Sequence, residues 1–260
     1  MLIGLIRIFI RSFRRRGILG TIRLCIRLLF DLQTYNLPRG DKDDLADEFD
    51  LNYGVDTKGS LLQPTHLVRT SDNWIYAKRY QPTPPQLFKE MLAYLPTCVE
   101  DFVFVDFGSG KGRILLLAAE LPFKKVIGIE FSEQLNQIAR NNMRATKNKT
   151  VRCSQVTSIC MDAVDYEIPI EPTVCFFFNP FEELVMKRVV EQIERSLRIL
   201  PRAIYILYYN PECNRLFQES KCFAEIKSTK DYRIYKSVVA NSQEETSFAA
   251  KCRPRDPAGV

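Results

Sequence analysis

The chain's 260 residues are long enough for one well-buried domain and an extension, and 46% hydrophobic with 26% charged residues is ordinary for a globular protein. The net charge of +6 is localised: residues 1–30 hold seven of the 37 bases and no acid, leaving 30 bases against 31 acids elsewhere, which excludes a broadly basic nucleic-acid surface on the body. Eight cysteines without a C-x-x-C pair, and His66 as the single histidine, exclude the common zinc patterns, so no metal site is expected and the cysteines read as small core residues of a reduced, cytosolic protein.

Residues 1–10 are apolar but broken by Arg7, and residues 17–30 carry Arg23 and Arg27 one helical turn apart. Neither run reaches the ~18–20 apolar residues of a spanning helix, and no small-residue cleavage site follows. Residues 1–35 are therefore expected to be a basic amphipathic helical extension lying in a membrane interface. A helix packed on the domain or a partner, or a nucleic-acid arm, are the alternatives. Residues 36–79 read as linker and pre-domain region. They hold a polar stretch with a short surface helix up to Asp50, a turn-rich loop from Tyr53 to Gly59, and a short strand from Trp74 to Tyr80. His66 stands alone and reads as a surface or satisfied residue. Tyr80-Gln-Pro-Thr83-Pro-Pro85 then opens an amphipathic helix over Gln86–Leu95, with proline near its first turn.

The next stretch organises the rest. Phe102 to Val105 is a short apolar run, as expected of a buried parallel strand, and it ends in Asp106. Gly108-Ser109-Gly110-Lys111-Gly112 follows, then a helix over Ile114–Glu120. Strand, glycine turn and helix form the ligand-binding corner of a doubly wound α/β sheet. A dinucleotide site wants G-x-G-x-x-G/A, but Arg113 fills its last slot. A P-loop wants G-x-x-x-x-G-K-[ST], but Gly112 follows Lys111. A kinase reading of Asp106-Phe107-Gly108 lacks any H-R-D loop. What remains is acid-x-Gly-x-Gly-x-Gly at a strand end.

Val126 to Glu130 is a second strand ending in an acid, 22 residues after Gly108, near the ~20 at which an acid reaches a ribose hydroxyl pair. A helix over Glu133–Lys147 follows. A third strand ends at Asp162, with Asp165 as its rival. Val174 to Phe178 runs into Asn179-Pro180-Phe181, then a helix to Leu197. Ala203–Tyr209 is a fifth strand, and Phe223–Lys227 with Tyr232–Val238 make a terminal hairpin. The tail from Asn241 shows no periodicity and is expected to be mobile.

These elements, in this order, resemble the class I S-adenosylmethionine (SAM) methyltransferases. The resemblance covers roughly residues 80–240 and implies a Rossmann-like α/β sheet of about seven strands with a C-terminal antiparallel hairpin, followed by a tail over 241–260. Tyr80-Gln-Pro-Thr83-Pro together with Asp106-Phe-Gly-Ser-Gly-Lys-Gly-Arg113 looks most like the lysine-methylating branch that includes the ATP-synthase c-subunit lysine methyltransferases. On this resemblance Asp106, Gly108, Ser109, Gly110, Gly112, Glu130, Asp162, Tyr80 and Thr83 contact SAM. Asn179, Pro180 and Phe181 form the catalytic motif, closest to the Asn-Pro-Pro-Tyr of amino-group methylases but lacking the second proline. The expected reaction is methyl transfer to an amino acceptor, protein lysine or a small-molecule or lipid-linked amine, in a cytoplasmic enzyme at the inner face of a membrane. Nucleic acid is not an expected partner. A non-catalytic SAM-binding membrane adaptor is the competing reading.

Overall fold

The computed structural model describes residues 47–59, 80–147 and 150–238, together with Ile18, Ile22 and Ile26. The tail from Asn241, the strand expected at 74–80 apart from Tyr80, His66 and most of the N-terminal extension lie outside the described residues.

Seven strands form one sheet in the order β3-β2-β1-β4-β5-β7-β6. The first five are β1 (Val103–Phe107), β2 (Lys125–Glu130), β3 (Val156–Cys160), β4 (Thr173–Phe178) and β5 (Ile204–Tyr209), all parallel. β6 (Phe223–Ser228) and β7 (Tyr232–Ser237) are the expected antiparallel hairpin, joined to the sheet by β7 against β5. This is the Rossmann-like arrangement of the class I methyltransferase fold.

The alternation of each strand sorts its side chains to two faces. Phe104, Phe176 and Leu207 face a cluster built from α2 (Pro85–Leu92) and α3 (Arg113–Ala118). Val105, Phe177, Ile206 and Tyr208 face the other way, against α5 (Glu183–Ile199) and α6 (Arg215–Gln218). Both faces are covered, so every residue of β1 is buried and the strand reads as continuous apolar sequence around one acid. Phe88 of α2 sets its edge against Phe104 and Phe176, at ring-centroid distances of 5.8 and 5.4 Å. On the other face, Phe107 stacks on Phe177 at 4.8 Å.

α4 (Glu133–Ala145) begins where Ser132 accepts from the Leu135 amide at 3.3 Å, an N-cap that fixes the path out of β2. Two boundaries differ from expectation in ways that matter. β1 continues past Asp106 to Phe107, so Asp106 lies within the ladder, opposite Gly128 and Phe176. The third strand stops at Cys160, and Asp162 caps a short 3-10 turn (Ala163–Asp165) by accepting from the Val164 amide at 3.1 Å. Residues 47–59, read from sequence as linker, surface helix and loop, include α1 (Glu48–Tyr53) and are tied onto the start of α3.

Candidate functional site

The strand order reverses between β1 and β4, and the crevice beyond the carboxyl ends of these strands is where open α/β sheets bind ligands. The glycine turn sits at that crevice. Gly108 and Gly110 have φ of 82° and 53°, the left-handed region that favours glycine. The packing demands glycine as well. A Cβ on Gly108 would lie 2.6 Å from Pro180 Cβ, and one on Gly110 would overlap the Tyr80 ring. The Gly108 and Ser109 amides donate to the Ile129 carbonyl at 2.8 and 3.1 Å, pinning the turn to the end of β2. Gly112 donates to the Ser109 carbonyl at 2.9 Å and opens α3.

Glu130 closes the other side. Its Oε2 accepts from the Gly110 amide at 2.9 Å and its Oε1 from the Ser132 amide at 2.8 Å, so one carboxyl links the glycine turn to the cap of α4. Burial pushes its pKa up to about 7, against the lowering effect of those amides. Burial also raises Asp106 well above the usual carboxylate range, and the negative charge of Glu130 adds to the shift. Two carboxyls held above their ordinary pKa beside one crevice make it the candidate functional site.

Two cavities meet at Gly108. One is lined by Ile129, Phe131, Asp162, Phe181 and Val185 among others. The second is lined by Tyr80, Thr83, Asp106, Ser109 and Phe178 among others. Asp162 therefore faces the site while its rival Asp165 is exposed and lines neither cavity. Phe181 lines the cavity on the Asp162 side, while Tyr80 lines the other. Burial raises the Tyr80 phenol, so it stays a neutral hydrogen-bond donor.

Asn179 follows the last residue of β4 with φ of 37°, a left-handed conformation that asparagine tolerates better than most side chains. It is buried, and among the described residues its Oδ1 has no hydrogen-bond partner. A buried acceptor left without a donor costs about 1–3 kcal/mol, so this oxygen is suited to receive an N–H from a ligand.

Several site residues escaped the sequence reading. Phe178, which the sequence shows only as the last residue of an apolar strand, is half-buried, lines the second cavity and packs on Tyr209 at 4.4 Å. Its position as the last residue of an aromatic strand was the available signal. Lys111 of the glycine turn is committed to the chain's own contacts, its Nζ held by Asp56 Oδ1 at 2.7 Å and the Lys58 carbonyl at 2.6 Å. Arg113 is buried and paired with Asp47 at 2.6 Å. Among the described residues no group of three His, Cys, Asp or Glu side chains gathers as a metal ion would need.

The family model of the histone methylation protein DOT1 matches residues 77–160, which span the second cavity's loop, the glycine turn, Glu130 and β3. No curated protein matches the chain. Solved structures similar to it include an RNA methyltransferase from Salinibacter ruber in complex with S-adenosyl-L-homocysteine. The overlap is 19% identical, covers 63% of this chain and 97% of that one, and has a TM-score of 0.42. A ribosomal protein L11 methylase from Lactobacillus delbrueckii subsp. bulgaricus is 13% identical over 63% of this chain and 91% of that one, with a TM-score of 0.44. A SAM-dependent methyltransferase from Methanosarcina mazei is 12% identical over 61% of this chain and all (100%) of that one, with a TM-score of 0.45. The strand order, rather than overlaps this distant, places the fold.

Proposed function

We propose that this chain is a SAM-dependent methyltransferase that holds its cofactor across the β1–β4 crevice and methylates an amino group presented at Asn179-Pro180. The observation that carries the reading is the pair of cavities meeting at Gly108, with the buried carboxyls of Asp106, next to last in β1, and Glu130, at the end of β2, beside the glycine turn. The residues fit the cofactor. Gly108 and Gly110 keep the backbone low where side chains would fill the crevice. Glu130 uses its two oxygens on two amides and retains lone pairs for a ribose hydroxyl pair. Asp162, with the apolar residues around it, suits adenine and its amino group. Tyr80, Thr83 and Asp106 suit the charged methionine end.

When bound, SAM supplies a methyl group already activated on a sulfonium, so the protein's work is positioning. Asn179 Oδ1 accepts an N–H of the acceptor amine, which turns the nitrogen lone pair toward the crevice. Phe178 and Tyr209, 4.4 Å apart, offer aromatic faces favourable to an ammonium carrying methyl groups. The match to a family model described by histone methylation supports a protein acceptor, and the resemblance of the glycine motif to the lysine-methylating branch puts lysine first.

The test is incubation of a cell lysate with methyl-tritiated SAM and either wild-type protein or Asn179→Ala. Protease-sensitive label is expected with wild type alone, while both proteins bind SAM with similar affinity. Absence of label supports the non-catalytic adaptor. Label that survives Asn179→Ala refutes the role of Oδ1, and ribonuclease-sensitive label moves the acceptor to RNA.

The same proposal places the enzyme on an anionic membrane surface through residues 1–30. Ile18, Ile22 and Ile26 are helical and exposed, and their four-residue spacing puts them on one helical face. The seven arginines of that stretch supply the attraction to anionic lipid. No helix among the described residues is long and apolar enough to cross a membrane.

A further inference from the structure

Residues 47–58 form a strap on the glycine corner, and Thr57 is the point where the strap, the glycine helix and the cofactor loop meet. The strap folds through its own sequence. Asp47 caps α1 by accepting from the Asp50 amide at 2.9 Å. Gly54, at φ of 68°, reverses the chain, and the Gly54 and Val55 amides both return to the Asp50 carbonyl. The reversal lands Thr57 and Lys58 on the Asp50 side chain, whose Oδ2 accepts from both amides at 2.8 Å. The Thr57 hydroxyl donates to Asp50 Oδ1.

This folded strap then grips the glycine corner on both sides of Gly112. Arg113 Nε donates to Thr57 Oγ1 at 2.7 Å, and its Nη2 reaches Asp47 at 2.6 Å and Asp50 at 3.4 Å. Its guanidinium lies 4.7 Å over the Phe49 ring. Lys111 reaches Asp56 and the Lys58 carbonyl, and Asn142 of α4 donates to the carbonyls of Asp56 and Lys111 at 2.8 and 2.9 Å. Arg113, Lys111, Asp50 and Thr57 are all buried. A buried cation stripped of its partners costs several kcal/mol, so the turn and the strap hold their shapes together.

The last contact points at the cofactor. The Tyr80 hydroxyl donates to the Thr57 carbonyl at 2.5 Å, while the Tyr80 ring covers Gly110 and lines the second cavity beside Thr83 and Asp106. Thr57 thus receives Asp50 and Arg113 on its side chain and Tyr80 on its backbone, and is fully buried at 0% exposure.

We propose that Thr57 is a positioning residue for the methionine end of the cofactor, acting through Tyr80, and that residues 47–58 are part of the SAM site. The inference rests on the SAM reading above. It makes a demand that a purely stabilising strap does not: damage at Thr57 discriminates between ligands that have a methionine end and ligands that lack it.

The experiment is calorimetry on the full-length protein with two probes, SAM and 5′-methylthioadenosine, which lacks the amino acid portion. Thr57→Val keeps the shape and removes the hydroxyl. Without the hydroxyl the Thr57 carbonyl is no longer fixed under the Tyr80 hydroxyl, and loss of about one hydrogen bond's worth of ordering at the methionine end predicts SAM binding weaker by about tenfold, with methylthioadenosine affinity retained and Thr57→Ser restoring SAM affinity. Tyr80→Phe, which leaves every ion pair of the strap in place, shows the same selective loss. It carries the test if Thr57→Val does not fold. Equal weakening of both ligands, or of neither, overturns the inference. Failure of the wild type to bind SAM overturns the functional reading itself, and this inference with it.

Discussion

Glu130→Gln separates what the crevice costs the fold from what it contributes to binding. The Glu130 carboxyl has an ordinary pKa near 4.5 and is raised to about 7 in the folded chain by burial. A carboxyl raised on folding favours the folded state while it is protonated. That contribution is fully present below about pH 4.5 and is lost as pH rises through about 7. Integrating this shift, the wild type loses about 2–3 kcal/mol of unfolding free energy between pH 5 and pH 8 through this group alone. Asp106 adds to the loss in the same direction, because burial and the Glu130 charge both raise it. Glutamine has nothing to ionise and removes the charge that Asp106 feels. Its amide cannot accept from both Gly110 and Ser132 with two oxygens, so an offset of about 1–3 kcal/mol is expected at every pH. The signature is therefore the slope and not the absolute stability. Urea unfolding of both proteins at pH 5, 6, 7 and 8 measures it, and SAM titration of the same samples measures binding. The variant's stability should fall less with pH by about 2–3 kcal/mol, while its SAM affinity should drop by about tenfold to a hundredfold through loss of charge-assisted bonds. Parallel pH profiles would refute the burial account of Glu130, and unchanged SAM affinity would refute its role as the ribose ligand.

Gly108→Ala should abolish measurable SAM binding, since the new methyl meets Pro180 Cβ at 2.6 Å and the left-handed φ of 82° costs roughly a further 1–2 kcal/mol; calorimetry checks it. Phe88→Ala should remove about 3–5 kcal/mol of stability by emptying the space against Phe104 and Phe176. Calorimetric melting should show a fall of roughly 6–20 °C, with SAM affinity of the folded protein retained. Full-length protein should sediment with anionic liposomes and lose attachment as salt rises, because the charge interaction is screened over ~10 Å at 0.1 M. Protein starting at Asp31 should stay in the supernatant, and equal pelleting of both would refute the anchor.

The buried strands were legible because burial on both faces leaves a continuous apolar run, as in Phe102 to Val105 and Val174 to Phe178. β3 was hard to see because it is the sheet's outer strand on its side, with Thr157 and Ser158 in its middle and partial burial along its length. Its true end at Cys160 moves Asp162 from a strand terminus to the cap of a turn, though still into the crevice. The strap was illegible for a different reason. Asp47, Asp50, Thr57 and Arg113 are residue types that usually face solvent, and nothing in their composition announces that Thr57 and Arg113, 56 positions apart, are hydrogen-bonded in the interior. Arg113 entered the sequence reading as a reason against a dinucleotide site and as the end of the glycine motif, never as a partner of residues 47–58. In the structure that arginine is why the strap and the glycine helix share one network.

The ends of β4 and β5 show why pattern alone stops short of function. Phe178-Asn179-Pro180 and Tyr209-Asn210-Pro211 are the same local code, and Phe178 and Tyr209 are register partners. Both asparagines are left-handed, with φ of 37° and 48°, so both chains leave the sheet at the same level. Their environments differ. Asn210 is exposed and its amide is bound to the Asp231 carbonyl at 2.8 Å, at the base of the hairpin turn. Asn179 is buried beneath Pro180, which presses on Gly108, and its Oδ1 has no partner among the described residues. An exposed amide satisfies itself with water and needs no ligand. A buried one without a donor remains a standing cost until a ligand N–H arrives. Burial is therefore what separates a strand-ending turn from a candidate for the acceptor-binding group.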